Sequence, residues 1–363
     1  MLSVHLIAAA RPNFMKVAPL YHALAKANWC QPVLIHTGQH YDFNMSDAFF
    51  QDLGLPEPDY HLNIGSGSHA EQTAGVMVAY EKVLTDTMPD WIVVVGDVNS
   101  TLACTLAAKK LNLRVAHLEA GLRSRDRTMP EEINRMVTDS VADVLWTPSK
   151  DGDANLIAEG VAPERISFVG NIMIDSYELL RERIEQEKTR DDFGLAAGTY
   201  GVVTLHRPIN VDHPETLETL VETLTTAARD VPLAFALHPR TRKNLERFGL
   251  FEPLSTADGI HLSDPLSYIR FMGLVREAKL VITDSGGIQE ETTYLGIPCL
   301  TLRDTTERPV TVSEGTNRLA TTAELAGLID KVLAGDWQTG KRPDLWDGST
   351  AGRVADDIRK RSA

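Results

Sequence analysis

The sequence predicts an α/β protein built from two doubly wound parallel domains that face each other across a cleft. Apolar strand-like segments alternate with amphipathic helix-like segments along nearly the whole chain, which is typical of parallel sheets. The length of 363 residues fits two domains better than one. Residues 278–298 combine an apolar strand, a glycine turn and a short helix, which is the architecture of a phosphate-binding loop.

The first domain is predicted to span residues 1–171. Short apolar runs predict its strands at residues 3–9, 32–37, 91–95, 114–118, 144–147 and 166–169. Helical spacing of apolar residues predicts helices at residues 14–27, 70–87 and 100–111. Pro130 suits the first position of one more helix. Strands and helices in this order predict a parallel sheet with helices on both faces.

The second domain is predicted to span residues 172–345, beginning with a helix at residues 174–190 that includes a charged stretch at the junction. Apolar runs predict its strands at residues 201–205, 233–237, 260–262, 280–283 and 299–302. A helix is expected at residues 288–295, closed by Gly296. Residues 346–363 are predicted to form a C-terminal tail, with a helix that packs back on the first domain.

Composition excludes several classes of partner and location. A formal net charge of -14 argues against nucleic acid and against anionic membranes, because the long-range field repels polyanions. No apolar run reaches the roughly 18 to 20 residues that span a bilayer, and the N-terminus lacks the basic region of a secretory signal. We therefore expect a cytoplasmic protein. The three cysteines are scattered, so neither a disulfide framework nor a zinc site is indicated.

The end of the first strand argues against a nucleotide redox cofactor. It reads Ala10-Arg11-Pro12-Asn13, where a dinucleotide-binding protein would carry a glycine-rich fingerprint, so neither a nicotinamide nor a flavin is expected. Pro12 suits the first turn of the next helix, which places Arg11 at the mouth of the sheet and Lys16 one turn further along. A surface salt bridge is the alternative role for Arg11.

Three acids follow strand ends or helix starts in the first domain. Asp97 and Glu119 should stand at the carboxyl ends of neighbouring strands, where they resemble a general acid/base pair. A helix N-cap is an equal alternative for Asp97. Glu131 begins a helix close to both acids, and an ion pair with Arg135, four residues on, is the alternative for it.

The second domain supplies cations and the glycine loop. His206 and His238 end two strands, although a lone histidine at a strand end is more often structural than catalytic. The backbone N–H groups at Ser285, Gly286 and Gly287 are suited to bind an anion. Glu290 and Glu291 are placed in the first helical turn, where an acid can accept hydrogen bonds from a ribose. The alternative is that these acids only complement the helix dipole.

Taken together, nine motifs resemble the non-hydrolysing UDP-N-acetylglucosamine 2-epimerases, whose two Rossmann-like domains have the GT-B arrangement. The motifs occur in one order over nearly the whole chain: ARPNFMKVAPL, TGQHYD, GDVNSTLA, HLEAGLRS, PEEINR, GNIMID, LHRPINVD, DSGGIQEE and RDTTERP. The resemblance implies reversible inversion at C2, which interconverts UDP-GlcNAc and UDP-ManNAc through elimination of UDP, 2-acetamidoglucal and re-addition. It implies no cofactor and no metal, and suggests a homodimer.

The resemblance also assigns roles to residues. The positions that match catalytic residues of the family are Arg11, Lys16, Asp97, Glu119, Glu131 and His206. The positions that match substrate-binding residues are Phe271 near uracil, Ser285 and Gly286 at the diphosphate, Glu291 at the ribose and Arg308 at the diphosphate or sugar. From the strand-end pattern we add His238 and Gly287 to the substrate-binding set.

Several alternatives stay open. Residues 65–73 and residues 41–43 differ from the forms in enzymes that a second UDP-GlcNAc activates, so we do not expect such activation. Variation at Met129-Pro130 and Pro208-Ile209-Asn210 leaves a modified N-acetylhexosamine as an alternative substrate. A hydrolysing 2-epimerase that releases ManNAc, a GT-B glycosyltransferase and an inactive UDP-sugar sensor are the rival functions.

Overall fold

The structure, a computed structural model, describes residues 1–9, 11–38 and 52–363, with only the backbone of Arg11. The chain divides into two compact units, one of residues 1–179 with 344–363 and one of residues 180–343. Residues 41–43, part of the sequence argument against activation by a second UDP-GlcNAc, lie outside the described ranges. Within the described ranges, no helix combines the length and apolar character needed to cross a membrane.

The elements up to the second unit alternate as the sequence predicts. They are β1 (Leu2–Ala8), α1 (Arg11–Ala25), β2 (Cys30–His36), β3 (Tyr60–His61), α2 (His69–Thr87), β4 (Trp91–Val95), α3 (Asn99–Lys110), β5 (Val115–Leu118), α4 (Pro130–Val141), β6 (Val144–Thr147), α5 (Lys150–Ala158), β7 (Ile166–Phe168) and α6 (Ile172–Gln186).

The remaining elements follow the same alternation. They are β8 (Gly201–Thr204), α7 (Pro208–Val211), α8 (Pro214–Ala227), β9 (Leu233–Ala236), α9 (Pro239–Arg247), α10 (Phe251–Ser255), β10 (Ile260–Ser263), α11 (Tyr268–Val275), β11 (Leu280–Thr283), α12 (Gly286–Leu295), β12 (Cys299–Thr301), α13 (Val310–Ser313), β13 (Asn317–Leu319), α14 (Leu325–Leu333) and α15 (Thr350–Ser362). Short 3₁₀ turns lie at Pro163–Arg165 and Asp191–Phe193.

Each unit contains one parallel sheet. The first has the order β3-β2-β1-β4-β5-β6-β7 and the second the order β10-β9-β8-β11-β12-β13. The central strands β4 and β11 are buried along their whole length, because helices cover both faces of the sheet. The predicted α/β fold with two doubly wound sheets is confirmed. Strand order reverses beside β1 and β4 in the first sheet, and beside β8 and β11 in the second, which marks the two switch points.

The C-terminal helix α15 belongs to the first unit. The indole N–H of Trp91 donates to Ser362 Oγ at 2.8 Å, and that of Trp146 donates to Asp357 Oδ2 at 2.7 Å. Ile358 on the same helix is fully buried. Two tryptophan side chains and an apolar helix face thus attach the end of the chain to the first sheet.

Candidate active site

Two of the three predicted acids follow neighbouring strands of the first sheet. Strands β4 and β5 pair in parallel with Val95 opposite Leu118, so Asp97 and Glu119 start from adjacent positions at one edge. This edge is the carboxyl end of the sheet, next to the switch point, where ligands of doubly wound sheets bind. The prediction that the two acids stand at the ends of adjacent strands is confirmed.

Glu119 is buried and its backbone is strained. Its φ angle of 71° lies in the left-handed region, which costs free energy for a residue with a side chain. Oε2 of Glu119 forms an ion pair with Nζ of Lys16 from helix α1. Oε1 is buried and has no hydrogen-bond partner within the described part of the chain. One carboxylate oxygen is therefore held by a cation while the other remains available to accept a proton.

Asp97 is an ion-pair partner and not a helix cap. The N-cap of α3 is Val98, with no side-chain hydrogen bond, so the capping alternative for Asp97 is wrong. Its Oδ2 accepts from Nη2 and Nε of Arg135 at 2.5 and 3.0 Å. The side chain stays about one-third exposed (32%). A forked guanidinium fixes the orientation of this carboxylate while leaving it accessible.

Glu131 lies at the start of α4, directly after Pro130, as predicted. Arg135, its suggested ion-pair partner, donates to Glu132 at 2.7 Å and to Asp97. Glu131 and Asp97 both line a cavity of about 420 Å³ in the first unit. Polar groups of Gln72, Asn99 and Asn134 lie along the same cavity. The arrangement places two carboxylates against one polar cavity.

Arg11 and Lys16 both belong to α1, the helix that follows β1. Arg11 is the first residue of that helix, and its side chain lies outside what the structure describes. The amine of Lys16 reaches Glu119, and an added Cβ at Gly96 would lie 3.4 Å from both that amine and Glu119 Oε2. Glycine at position 96, with a φ of 68°, thus permits the close approach of this pair to the turn that carries Asp97.

The switch point of the second sheet holds a histidine-carboxylate pair. His206 follows β8, and its Nδ1 lies 2.8 Å from Oδ1 of Asp284, which is fully buried after β11. Asp284 also accepts from the backbone N–H groups of His206 and Arg207 and from Asn210. Burial alone would raise the pKa of Asp284, but these hydrogen bonds and the charge of His206 lower it. An ionised Asp284 fixes the ring of His206, whose side chain stays 40% exposed.

His238 has a local structural contact. Its Nδ1 accepts a hydrogen bond from the backbone N–H of Arg240 at 3.2 Å, so it caps helix α9. The rings of His238 and His206 are 5.4 Å apart. Burial, followed by the charge of His206, lowers the pKa of His238 below its ordinary value. The lowered pKa favours a neutral ring for His238, which lies beside the pair of His206 and Asp284.

The glycine loop lies at the start of helix α12, which begins at Gly286, two residues earlier than predicted. Ser285 is the N-cap, and its hydroxyl does not cap the helix. A Cβ at Gly286 would lie 3.0 Å from Nη1 of Arg308, whereas one at Gly287 would meet nothing within 4 Å. Gly286 is therefore explained by packing against Arg308, but Gly287 is not.

The prediction that Glu290 and Glu291 lie in the first turn of this helix is wrong, because the two glycines occupy that turn. Both acids are buried, so they do not simply complement the helix dipole. Glu290 Oε1 lies 2.8 Å from Nε of Arg308, and Glu291 Oε1 accepts from the hydroxyl of Tyr268 at 2.7 Å. Two acids expected at a helix end are instead partners of side chains from α11 and from the loop after β12.

The second unit also contains Phe271, which the sequence predicted at the site, and residues that it did not predict. Phe271 lies half-buried on α11, the helix that carries Tyr268. Sequence reasoning missed the roles of Asp284, Tyr268 and Arg303, which forms a buried pair with Glu307 at 2.9 and 3.0 Å. Asp284 had a signal, because it ends a strand as Asp97 does. Tyr268 had none, because its partner Glu291 comes from a separate segment. Arg303 and Glu307 are only four residues apart, but they lie in a loop, where the helical spacing rule gives no signal.

A metal site is not formed in the described ranges, where no group of three or more His, Cys, Asp or Glu side chains could hold an ion. The first unit offers carboxylates beside a lysine and an arginine. The second offers a histidine pair, an arginine and a glycine-led helix start.

Comparison with known proteins identifies relatives over nearly the whole chain. Residues 22–359 match the family described as UDP-N-acetylglucosamine 2-epimerase. A UDP-N-acetylglucosamine 2-epimerase of Methanocaldococcus jannaschii is 44% identical over 325 residues, 88% of each chain. A UDP-2,3-diacetamido-2,3-dideoxy-D-glucuronate 2-epimerase of Pseudomonas aeruginosa is 40% identical and covers 86% of each chain. The crystal structure of the M. jannaschii UDP-GlcNAc 2-epimerase with UDP-GlcNAc and UDP superposes with a TM-score of 0.88 at 40% identity, over 99% of this chain and 100% of that one.

Proposed function

The chain belongs to the UDP-N-acetylglucosamine 2-epimerase family, and we propose that it reversibly inverts C2 of UDP-GlcNAc to give UDP-ManNAc. The observation that carries the proposal is the set of acids in the first unit. Asp97 and Glu119 follow adjacent strands, each fixed by a cation, and Glu131 shares a cavity with Asp97. Inversion at a carbon needs a proton removed on one face and delivered on the other, so at least two acid/base groups are required.

The C2 proton is scarcely acidic, because C2 stands beside an acetal carbon and not beside a carbonyl. Its removal must be assisted by departure of the diphosphate from C1, which gives 2-acetamidoglucal and UDP. In our proposal Asp97, Glu119 and Glu131 carry the protons. Lys16 and Arg135 hold two of these carboxylates in fixed orientations, which favours proton transfer in a defined geometry.

The departing diphosphate needs positive charge and N–H donors. We assign this role to the start of α12 at Ser285, Gly286 and Gly287, with Arg308 packed against Gly286. His206 is assigned as a further donor, and Asp284, whose Oδ1 lies 2.8 Å from its Nδ1, fixes the orientation of the ring. Arg11 at the start of α1 and His238 beside His206 are assigned to the same anion. Phe271 and Glu291 are assigned to the uridine.

Product analysis tests the proposal. We expect the enzyme, given UDP-GlcNAc, to form UDP-ManNAc until an equilibrium mixture is reached, and to form the same mixture from UDP-ManNAc. Proton NMR of the anomeric signals distinguishes the two sugars. Release of free ManNAc with stoichiometric UDP would identify a hydrolysing enzyme instead, and binding without conversion would identify a sensor.

A second substrate is supported by one observation. The P. aeruginosa relative at 40% identity is named for a diacetamido glucuronate. Against it, the described residues that line the cavity beside Asp97 include two carboxylates and neither lysine nor arginine, so they offer no cation to a sugar carboxylate. Parallel measurement of kcat/KM for UDP-GlcNAc and for the UDP-diacetamido-uronate decides between them. We expect UDP-GlcNAc to be preferred.

We also propose that the protein is a homodimer. Helices α2 and α4 expose apolar side chains along a groove, including Ala70, Ala74, Val78 and Ile133, and Val78 is 57% exposed. Apolar surface of this kind is typical of protein contacts. Sedimentation equilibrium is expected to give twice the chain mass, and Val78→Glu is expected to lower it. The cytoplasmic location stays a prediction.

A further inference from the structure

A fully buried histidine lies beneath the two strand ends that carry Asp97 and Glu119. His117, on β5, is 0% exposed. Its Nε2 lies 2.8 Å from the carbonyl oxygen of Gly96, and its Nδ1 lies 2.6 Å from Oδ1 of Asp139. Carbonyl and carboxylate oxygens only accept hydrogen bonds, so both ring nitrogens must donate. His117 is therefore held between two acceptors, one on the turn before Asp97 and one on α4.

Asp139, on α4, supplies the opposing charge. Its second oxygen accepts from the backbone N–H of Gly121 at 3.1 Å and pairs with Nη1 of Arg123 at 2.7 Å. Arg123 is held in turn by Glu159. Burial would raise the pKa of Asp139, but the charges and hydrogen bonds of His117 and Arg123 lower it. The carboxylates of Asp139 and Glu159 thus lie on either side of the Arg123 guanidinium, and this pairing offsets the free-energy cost of burying charge.

This network anchors both turns that present the acids. Gly96, whose carbonyl binds His117, has a φ of 68° and directly precedes Asp97. Gly121, whose N–H binds Asp139, has a φ of 79° and follows Glu119, itself at 71°. Left-handed backbone at these positions persists only where surrounding contacts hold it. The imidazole of His117 supplies such a contact to the turn at Gly96, and the carboxylate of Asp139 supplies one to the turn at Gly121.

We propose that His117 and Asp139 are positioning residues that hold the Asp97 and Glu119 carboxylates in register for proton transfer at C2 of the sugar. The inference rests on the proposed function, because it assigns those carboxylates to the proton. Neither residue is assigned a contact with substrate. Loss of either is expected to displace the acids, and displacements of about 1 Å at a reacting centre can cost roughly 100-fold in rate.

Asp143, which lies between α4 and β6, offers a matched control because it binds the same strand, β5. Its Oδ2 accepts from the backbone N–H of Val115 at 2.8 Å, and it pairs with Lys109 at 2.7 Å. It thus anchors β5 by the same chemistry as Asp139, but at the strand's opposite end, far from the acids. If removal of either aspartate merely loosened β5, Asp139→Asn and Asp143→Asn would both lose activity. If Asp139 positions the acids, only Asp139→Asn would lose activity.

The test compares full-length Asp139→Asn, His117→Gln and Asp143→Asn with the wild type, using kcat, KM and exchange of the C2 proton with solvent. We expect kcat and exchange to fall about 100-fold in the first two, with KM within about threefold, and Asp143→Asn to resemble wild type. The double variant is expected to be no worse than either single one. Wild-type rates in Asp139→Asn, or equal losses in Asp143→Asn, overturn the proposal.

A spectroscopic measurement keeps the inference testable if a variant does not fold. In wild-type protein labelled with ¹⁵N-histidine, both ring nitrogens of His117 should show N–H groups that donate hydrogen bonds, and the resonance is assigned through its own backbone. A ring nitrogen that donates no hydrogen bond would contradict the network. If the wild type neither epimerises nor exchanges the C2 proton, the proposed function fails; if it exchanges and the variants match it, only the positioning role fails.

Discussion

At the scale of single residues, Glu290 and Glu291 are neighbours with opposite surroundings. Glu290 pairs with Arg308, whereas Glu291 meets the hydroxyl of Tyr268 and the charge of Glu290. Burial, together with that neighbouring charge, raises the pKa of Glu291 to about 8. With a pKa of about 8, the carboxyl group of Glu291 keeps a proton at pH 7 and can donate a hydrogen bond as well as accept one.

This difference predicts a pH-dependent effect of Glu291→Gln on stability. The folded pKa of about 8 lies above the ordinary value of 4.5, so the folded wild type retains a proton that the unfolded chain releases between these values. Stability of the wild type should fall as pH rises from 5 to 8, by up to about 1.4 kcal/mol per pH unit, and the amide should not titrate.

Urea unfolding at pH 5 and pH 7.5 checks this prediction. The advantage of Glu291→Gln over wild type should grow with pH, while Glu222→Gln, at an exposed site on α8, should behave as wild type at both values. A constant difference between Glu291→Gln and wild type would show that Glu291 is already ionised at pH 5.

The positions of single acids were predictable where they depend on strand ends. Asp97 and Glu119 follow apolar runs, and parallel strands bring such residues to one edge. Partners from distant segments were not predictable. Arg135 for Asp97, Lys16 for Glu119 and Tyr268 for Glu291 depend on how helices pack, which local sequence does not encode.

At the scale of elements, the start of α12 is the helix terminus that our proposal assigns to the diphosphate. Two glycines occupy the first turn, although glycine disfavours a helix. Gly286 leaves room for Arg308. Gly287 faces open space, so its lack of a side chain has no explanation in packing, and our proposal assigns it to close approach of a diphosphate.

Gly287→Ala should therefore raise the stability of the protein while lowering its affinity for UDP. We expect the free energy of unfolding to rise by up to about 1 kcal/mol, because alanine favours a helix. UDP affinity should fall about tenfold or more, because a methyl group stands where the anion meets the backbone. Calorimetry measures the affinity and urea unfolding the stability.

Gly327→Ala is the control for this prediction. Gly327 lies in α14 and, like Gly287, would place a Cβ in open space. It should gain similar stability and leave UDP affinity unchanged. If Gly287→Ala binds UDP with wild-type affinity, the assignment of the glycine loop to the diphosphate is wrong.

Most elements were predictable because buried parallel strands are apolar runs. Trp91–Val95, Val144–Thr147 and Leu280–Thr283 match the predicted bounds. Two edge strands were missed. Tyr60–His61 has only two residues, and Asn317–Leu319 carries polar side chains, so neither resembles a buried run. Their strand character comes from pairing with β2 and β12.

At the scale of the whole molecule, each unit presents its candidate residues at its own switch point. The first sheet places Asp97 and Glu119 after β4 and β5, next to the switch point between β1 and β4. The second places His206 and the glycine loop after β8 and β11. That both sheets carry candidate residues was predictable from the order of motifs along the chain, but a division into an acidic and a cationic sheet is not seen, because Lys16 pairs with Glu119 and Arg308 pairs with Glu290. The buried network of His117 and Asp139 was not, because it joins a strand to a helix 22 residues later.

The central claim is that this protein removes and returns the C2 proton of a UDP-linked N-acetylhexosamine. The most direct test is incubation with UDP-GlcNAc in deuterated water, with mass and NMR analysis of the recovered sugars. We predict deuterium at C2 in UDP-ManNAc and, as reversal proceeds, in UDP-GlcNAc, with none at other carbons. Intact UDP binding without deuterium at C2 and without UDP-ManNAc would contradict the claim.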